Sequence, residues 1–370
     1  MSRVLIGDVD RAIAKRFPYE WAEEWDRVGL LAGDPDREAT GVVLALDVTR
    51  AAIAEAARLG ANVIVTHHPA CLETPRWITP GRGAAGILFA AMDAKVALVN
   101  AHTNLDRAPA AGLLLPDALG LEAIRPVERA PMPMSLVTVY VPPSHADAVA
   151  SAMAGAGAGR LGEYEASRFV SGEGSGRFTP SAAATPHTGK RGEPSVAEEV
   201  RVDMVAPRNR VKGVLSAARA VHPYEEPLIV AADVEIARTS ARMGMLNAAP
   251  SGMTLGALAD RAASAFGIVP RVWGDPAAPL AKIVTGTGSV RALIGDALAS
   301  GANALLGGEV RYHDALDAAE IGLSIVEIGH DVSEWPLVGL LENVVRAIPG
   351  LDPTTVYVLP ATPAWWTPSK

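Results

Sequence analysis

Four short stretches carry residues able to do chemistry together. They are Thr66-His67-His68-Pro69, His102-Thr103-Asn104-Leu105-Asp106, Gly308-Glu309 with Tyr312-His313, and Gly329-His330 through Glu334, and they hold five of the eight histidines. Each follows an apolar run that reads as a buried strand, or opens the helix after it. In open α/β sheets, ligands collect at the carboxyl ends of strands. Adjacent imidazoles at a strand end diverge toward two positions, so His67 and His68 are able to serve different ions. His330 and Glu334, four apart, share one face of a helical turn. A carboxylate has two oxygens and can bridge a pair of ions about 3.5–4 Å apart. Mixed imidazole and carboxylate ligation suits zinc, manganese, iron or cobalt better than calcium or magnesium. The expectation is a site for two divalent metal ions.

Alone, each motif has an ordinary explanation. A His-His pair is commonly a cap or a surface feature, and a His-x-x-x-Glu on a helix is commonly a surface pair. Their recurrence at equivalent strand ends raises the metal reading above the ordinary one. Cys71, three residues past His68, is left out because nothing pairs with it.

The elements that must position these residues alternate. The run Gly41 to Leu46 ends at Asp47, a helix spans Thr49 to Leu59, and a strand spans Asn62 to Thr66. A helix from about Ala84 to Ala94 then leads to Val96–Val99. Near-continuous apolar runs separated by amphipathic helices predict strands covered on both faces, in a largely parallel sheet. A first helix is expected over Asp8–Phe17 with Asp8 as its cap, after a short strand and turn. From about Pro126 the texture changes. A half-exposed strand Leu136–Val141, a helix Ser144–Ala154, a strand Glu199–Val205, a helix Lys212–Ala220 and a strand Leu228–Val234 form a ferredoxin-like pattern. Between them, Gly155 to Pro194 is rich in Gly, Ser, Thr, Pro and Ala, and fits either a mobile loop or an ordered surface excursion. His222-Pro223-Tyr224-Glu225-Glu226-Pro227 reads as a turn stiffened by two prolines or as a device controlling access to the metal cavity.

The α/β texture returns after Met243 as a repeat. Val42–His68 aligns without a gap to Ile283–Glu309, matching Arg50 to Arg291, Ile53 to Ile294, and Gly60-Ala61-Asn62 to Gly301-Ala302-Asn303. His102 and Asp106 then pair with His330 and Glu334. The repeat predicts two similar α/β halves, each with a mostly parallel sheet, facing one another across a composite dimetal site. The Gly286-Thr287-Gly288 loop, placed after a strand, is a weaker candidate for holding an anion on backbone N–H groups.

Totals narrow the classes further. At 370 residues, two or three domains are expected. Hydrophobic residues at 49% exclude disorder of the whole chain, and a net charge of −8 argues against a general nucleic-acid binder. The single cysteine cannot form an internal disulfide, and no span of about 18 uninterrupted apolar residues is present. No secretory leader is read at the start, so a cytoplasmic protein is expected.

Together the motifs resemble the NIF3-like dinuclear-metal family, whose members carry the name GTP cyclohydrolase 1 type 2 homologue. Trp25-Asp26-Arg27-Val28-Gly29-Leu30 is similar to that family's N-terminal motif. Gly162-Glu163-Tyr164, Gly172–Phe178 and His222–Pro227 resemble the PII- and CutA1-like middle domain of its longer members. The resemblance implies two α/β halves over 1–126 and 245–370 with an insert over 127–244. It implies that His67, Asp106 and Glu334 hold one ion, that His68, His330 and Glu334 hold the other, and that Glu334 bridges. His102 is implied to orient a ligand or substrate. A toroidal homohexamer is implied, with the insert as a lid on its chamber. Arg27 stands where the family has Asn, and Glu309 where it has Asp; neither change removes a ligand.

The activity implied is a metal-dependent hydrolase. Two ions sharing a water lower its pKa from about 15.7 toward about 7. That water would attack a ring carbon, as in a cyclohydrolase, or a phosphorus, with Glu309, Tyr312 or His313 moving the proton. The substrate is then a small molecule of nucleotide type. The competing reading is a scaffold whose ions hold the protein together and whose partners are proteins.

Overall fold

The computed structural model describes residues 3–81, 83–162, 164–361 and 365–366. The chain divides into two compact units, one of Met1–Arg129 with Ser240–Lys370 and one of Ala130–Thr239.

The first unit contains two sheets. In the five-stranded sheet, Ala97–Asn100, Val63–Thr66, Val42–Ala45 and Val356–Val358 run parallel in that order, and Gly29–Ala32 adds an antiparallel edge. Every residue of the three inner strands is buried, which is why they read as unbroken apolar runs. The six-stranded sheet places Lys282–Thr285, Ala304–Gly307 and Ser324–Glu327 parallel and adjacent. Its other strands, Arg271–Trp273, Met245–Ala248 and Glu122–Pro126, all pair antiparallel. The expectation of a mostly parallel second sheet is therefore corrected to a mixed one. Glu122–Pro126 lies at the sheet's edge with most of its residues exposed, so it lacks the apolar run of a covered strand.

Helix boundaries follow local chemistry. Thr49 caps Arg50–Arg58 by accepting from Ala52 N–H at 3.0 Å, and Gly60 follows with φ +72°, a backbone state that glycine enters without a Cβ penalty. The first helix is Ile6–Arg16, not Asp8–Phe17. Asp8 sits inside its first turn, where its carboxylate accepts from Leu5 N–H at 2.7 Å. The anticipated opening strand is reduced to a bridge between Leu5 and Glu38.

Two helices cross between the sheets' cores. His330–Arg346 follows the last parallel strand of the six-stranded sheet, yet its Leu337, Val338, Leu341 and Val345 pack with Val42, Leu44, Val63 and Val99 of the five-stranded sheet. Ala111–Leu119 follows the five-stranded sheet's Ala97–Asn100, yet its Leu115 and Leu119 pack with Ile283, Ala304, Leu306 and Val326 of the six-stranded one.

The second unit is an antiparallel sheet in the order Ile229–Ile236, Met132–Val141, Ser195–Pro207, Phe169–Val170, with Gly174–Phe178 also on Ser195–Pro207. Helices Ala146–Gly155 and Val211–Val221 cover one face through Val149, Met153, Val214 and Ala218. Among its described residues, the Gly-rich stretch supplies two of these strands, and Thr185 N–H donates to Glu225 at 2.8 Å. His222 braces its own turn, with Nε2 donating to Tyr140 O at 2.9 Å and Nδ1 accepting from Tyr224 N–H at 3.1 Å. Of the Gly162-Glu163-Tyr164 motif, Glu163 lies outside the described residues.

Candidate metal centre

His67 and His68 leave the end of Val63–Thr66; Asp106 closes the short helix Thr103–Asp106; His330 and Glu334 lie on the first turns of His330–Arg346. These five side chains, far apart in the chain, meet in one place. His67 Nε2 stands 3.7 Å from Asp106 Oδ2 and 3.6 Å from Glu334 Oε1. Glu334 Oε2 stands 2.9 Å from His68 Nε2 and 3.1 Å from His330 Nε2. His67, Asp106 and Glu334 form one group of ligand atoms within 4.8 Å of one another, and His68, His330 and Glu334 form a second.

The far nitrogen of each imidazole is anchored. His67 Nδ1 faces Ala101 O at 3.0 Å and His68 Nδ1 faces Asp47 Oδ1 at 2.8 Å. His102 Nδ1 faces Asp26 Oδ1 at 2.8 Å, and His330 Nδ1 lies 3.2 Å from Glu309 Oε1. Acceptors on Nδ1 fix the proton there and turn Nε2 inward, the arrangement that orients imidazole ligands in metal sites. Asp26 is itself held by Thr103 N–H at 3.0 Å and Thr103 Oγ1 at 2.5 Å. Asp106 accepts from Thr287 Oγ1 at 2.7 Å.

The 286–288 loop does not offer an anion cradle. Gly286 N–H donates to Leu306 O at 3.0 Å and Gly288 N–H to Ser333 Oγ at 2.9 Å. Gly288, at φ +57°, instead makes room, because a Cβ there would overlap Glu334 Oε1. Gly308 does the same beneath His330 and Ser333.

Electrostatics favour cations. Glu334 is 3% exposed. Burial opposes its ionisation, but His67, His330 and His68 hold its carboxyl well below the usual range. Burial disfavours protonated His68, yet the hydrogen bond with Asp47 and the adjacent Glu334 carboxylate bring its pKa up to about 10. Glu334 raises His330 to about 9 against its burial. His67 is also raised: burial opposes it, and Asp106 and Glu334 overcome that. This excess of carboxylate charge is what a bound cation neutralises, in competition with protons. Two buried atoms at the centre, His67 Nε2 and Glu334 Oε2, lack any aligned hydrogen bond despite the short approaches around them. Imidazole nitrogens and carboxylate oxygens converging on one space are a donor set that fits divalent ions.

The remaining sequence candidates lie elsewhere. Glu309 reaches the centre only through His330. Tyr312, 62% exposed, and His313 begin the helix Tyr312–Glu320 and pack edge to face on each other at 5.2 Å; neither joins the ligand groups. Arg27 donates to Trp25 O and Asp26 O, and its own carbonyl accepts from Asn100 Nδ2 at 2.7 Å. Asp47 was not among the expected site residues, although it ends an apolar strand just as His67 and His102 follow one.

The fold and site define an α/β protein whose strand ends gather a histidine–carboxylate cluster suited to metal ions. The Duf34/NIF3 (NGG1p interacting factor 3) family model matches residues 4–359, and the chain belongs to that family. It is 31% identical over 334 residues to the GTP cyclohydrolase 1 type 2 homolog of Halalkalibacterium halodurans, covering 90% of both chains. It is 31% identical over 318 residues to the Bacillus subtilis protein of the same name, covering 85% of this chain and 84% of that one. A solved Bacillus cereus protein related to NIF3 superposes with a TM-score of 0.62 at 28% identity, covering 99% of this chain and 100% of that chain. Among the described residues, no helix is long and apolar enough to cross a membrane.

Proposed function

We propose that this chain is a dinuclear-metal hydrolase acting on a small, nucleotide-like or phosphoester substrate. The observation that carries the reading is Glu334, a buried carboxylate whose two oxygens face separate ligand sets: Oε1 toward His67, Oε2 toward His68 and His330. His67, Asp106 and Glu334 would hold one ion, and His68, His330 and Glu334 the other. Bound divalent ions would supply Lewis-acid activation of water and of the substrate. Few protein ligands per ion is the pattern of catalytic sites, whereas structural sites are closed by protein.

The chain's own residues do the rest. Asp47 and Glu309 orient His68 and His330, and Thr287 holds Asp106. Glu309, 3.2 Å from His330 Nδ1, would take up a proton, and the exposed Tyr312 and His313 would meet substrate. The same proposal includes a homo-oligomer, for which a toroidal hexamer is the expectation, and duplicated halves. The duplication is supported by Asn62 and Asn303, whose side-chain oxygens accept from Thr40 N–H and Ala281 N–H, each 22 residues back, at 2.9 Å.

Incubating metal-loaded protein with nucleotides and phosphoesters and following products by mass tests the reading. Turnover lost in Glu334→Gln with assembly intact supports the enzyme. Absence of product from the whole panel, with assembly lost in that variant, supports a metal-held scaffold instead.

A further inference from the structure

His102 stands outside both carboxylate-bearing ligand groups, yet it faces the same space. A ligand nitrogen of His102 lies within 4.8 Å of those of His67 and His68. The three rings are mutually close, with centroids 4.9 Å apart for His67 and His68, 5.2 Å for His67 and His102, and 5.6 Å for His68 and His102. Each Nδ1 is already committed, to Ala101 O, Asp47 and Asp26 respectively. Ala101 O can only accept, and the other oxygen of Asp26 is itself engaged by Thr103 N–H at 3.0 Å and Thr103 Oγ1 at 2.5 Å. The three Nε2 atoms are turned away from these anchors; that of His67 is buried without a hydrogen bond, and that of His68 stands 2.9 Å from Glu334 Oε2.

Resting on the metal reading above, we propose that His67, His68 and His102 form a third, all-imidazole seat for a nitrogen-preferring divalent ion of the zinc and cobalt class. Three imidazoles with an open fourth position are a sufficient set for such an ion. Carboxylates favour harder ions and imidazoles the softer end of the series, so the seat discriminates between metals in a way the other two do not. It shares Nε2 of His67 and His68 with those seats, so it is filled only while they are not. The first ion to arrive takes three imidazoles, and the second equivalent forces redistribution into the carboxylate-bearing pair. His102 is thereby a loading ligand, and Asp26 with Thr103 is its positioning support.

Zinc-edge X-ray absorption on the full chain counts imidazoles directly. With one zinc per chain, three imidazoles are expected. A second zinc lowers the average, because the carboxylate-bearing seats offer one imidazole and two. His102→Ala removes the three-imidazole signal at one equivalent. Asp26→Asn, which keeps the ring but loosens its anchor, weakens the first zinc by about 10–100-fold; circular dichroism checks that both variants fold. Two or fewer imidazoles in the unaltered chain at one equivalent, unchanged in His102→Ala, overturns the third seat and leaves the metal centre standing. No uptake of zinc at all overturns both.

Discussion

At the scale of single residues, the candidate centre depends on groups that stand outside its ligand groups. Asp47 is half-exposed, and its surface pairing with another residue would contribute little. Against His68 Nδ1 it fixes a tautomer, and such partners change metal affinity by about 10–100-fold. Asp47→Asn is expected to weaken metal binding by that order while leaving secondary structure intact, read by competition with a chromophoric chelator. An unchanged affinity means His68 is oriented by packing alone. Gly288→Ala is a stricter test, because both its positive φ and the crowding against Glu334 resist a side chain. It is expected to displace Glu334, whose carboxylate belongs to both ligand groups, and so to weaken metal binding at both, seen as a fall in metal stoichiometry and affinity.

At the scale of elements, the chain's local chemistry announced more of the site than of the fold. Parallel strands buried on both faces appear as unbroken apolar runs, so a polar residue at their ends stands out, as His67 and His102 do. Asp26 and Asp47 were not assigned because their meaning lies in a partner, His102 76 residues away for Asp26 and His68 21 residues away for Asp47. The antiparallel strands of the six-stranded sheet were illegible for another reason. Glu122–Pro126 is largely exposed, and its pairing with Met245–Ala248 joins segments on opposite sides of residues 130–239. His222 shows the same limit, since a proline-stiffened turn was legible but the hydrogen bond to Tyr140 O was not. Burial lowers the pKa of His222 below its ordinary value of 6.5. A depressed imidazole favours the neutral form in the fold, so its contribution is complete above 6.5 and is lost as pH falls toward the folded value. Unfolding by urea at pH 7.5 and 5.5 should therefore show a steeper loss of stability for the unaltered chain than for His222→Gln. Parallel losses would assign the acid sensitivity to other groups.

At the scale of the molecule, the exchanged helices make the candidate metal centre depend on both sheets at once. Glu334 lies on a helix whose apolar face belongs to the five-stranded sheet, while its polar first turn extends from the six-stranded one. Leu337, fully buried one turn beyond Glu334, is where the two requirements meet. Leu337→Ala should cost about 2–5 kcal/mol, the range for emptying a packed core position. Because His330 and Glu334 are carried by the same helix, it should also weaken metal binding without touching a ligand. Linkage works in reverse as well: an ion at 100 times its dissociation constant adds about 2.7 kcal/mol to the state that binds it. The ligands all lie in the unit built from residues 1–129 and 240–370, and the unit of residues 130–239 has its own core. Calorimetry with and without chelator should then resolve a metal-dependent transition for the first unit and a metal-independent one for the second. Leu337→Ala should lower the first transition and leave the second in place. A single transition that chelator does not move would mean that ions contribute nothing to holding the two sheets together, and that Glu334 is kept buried by its imidazoles alone.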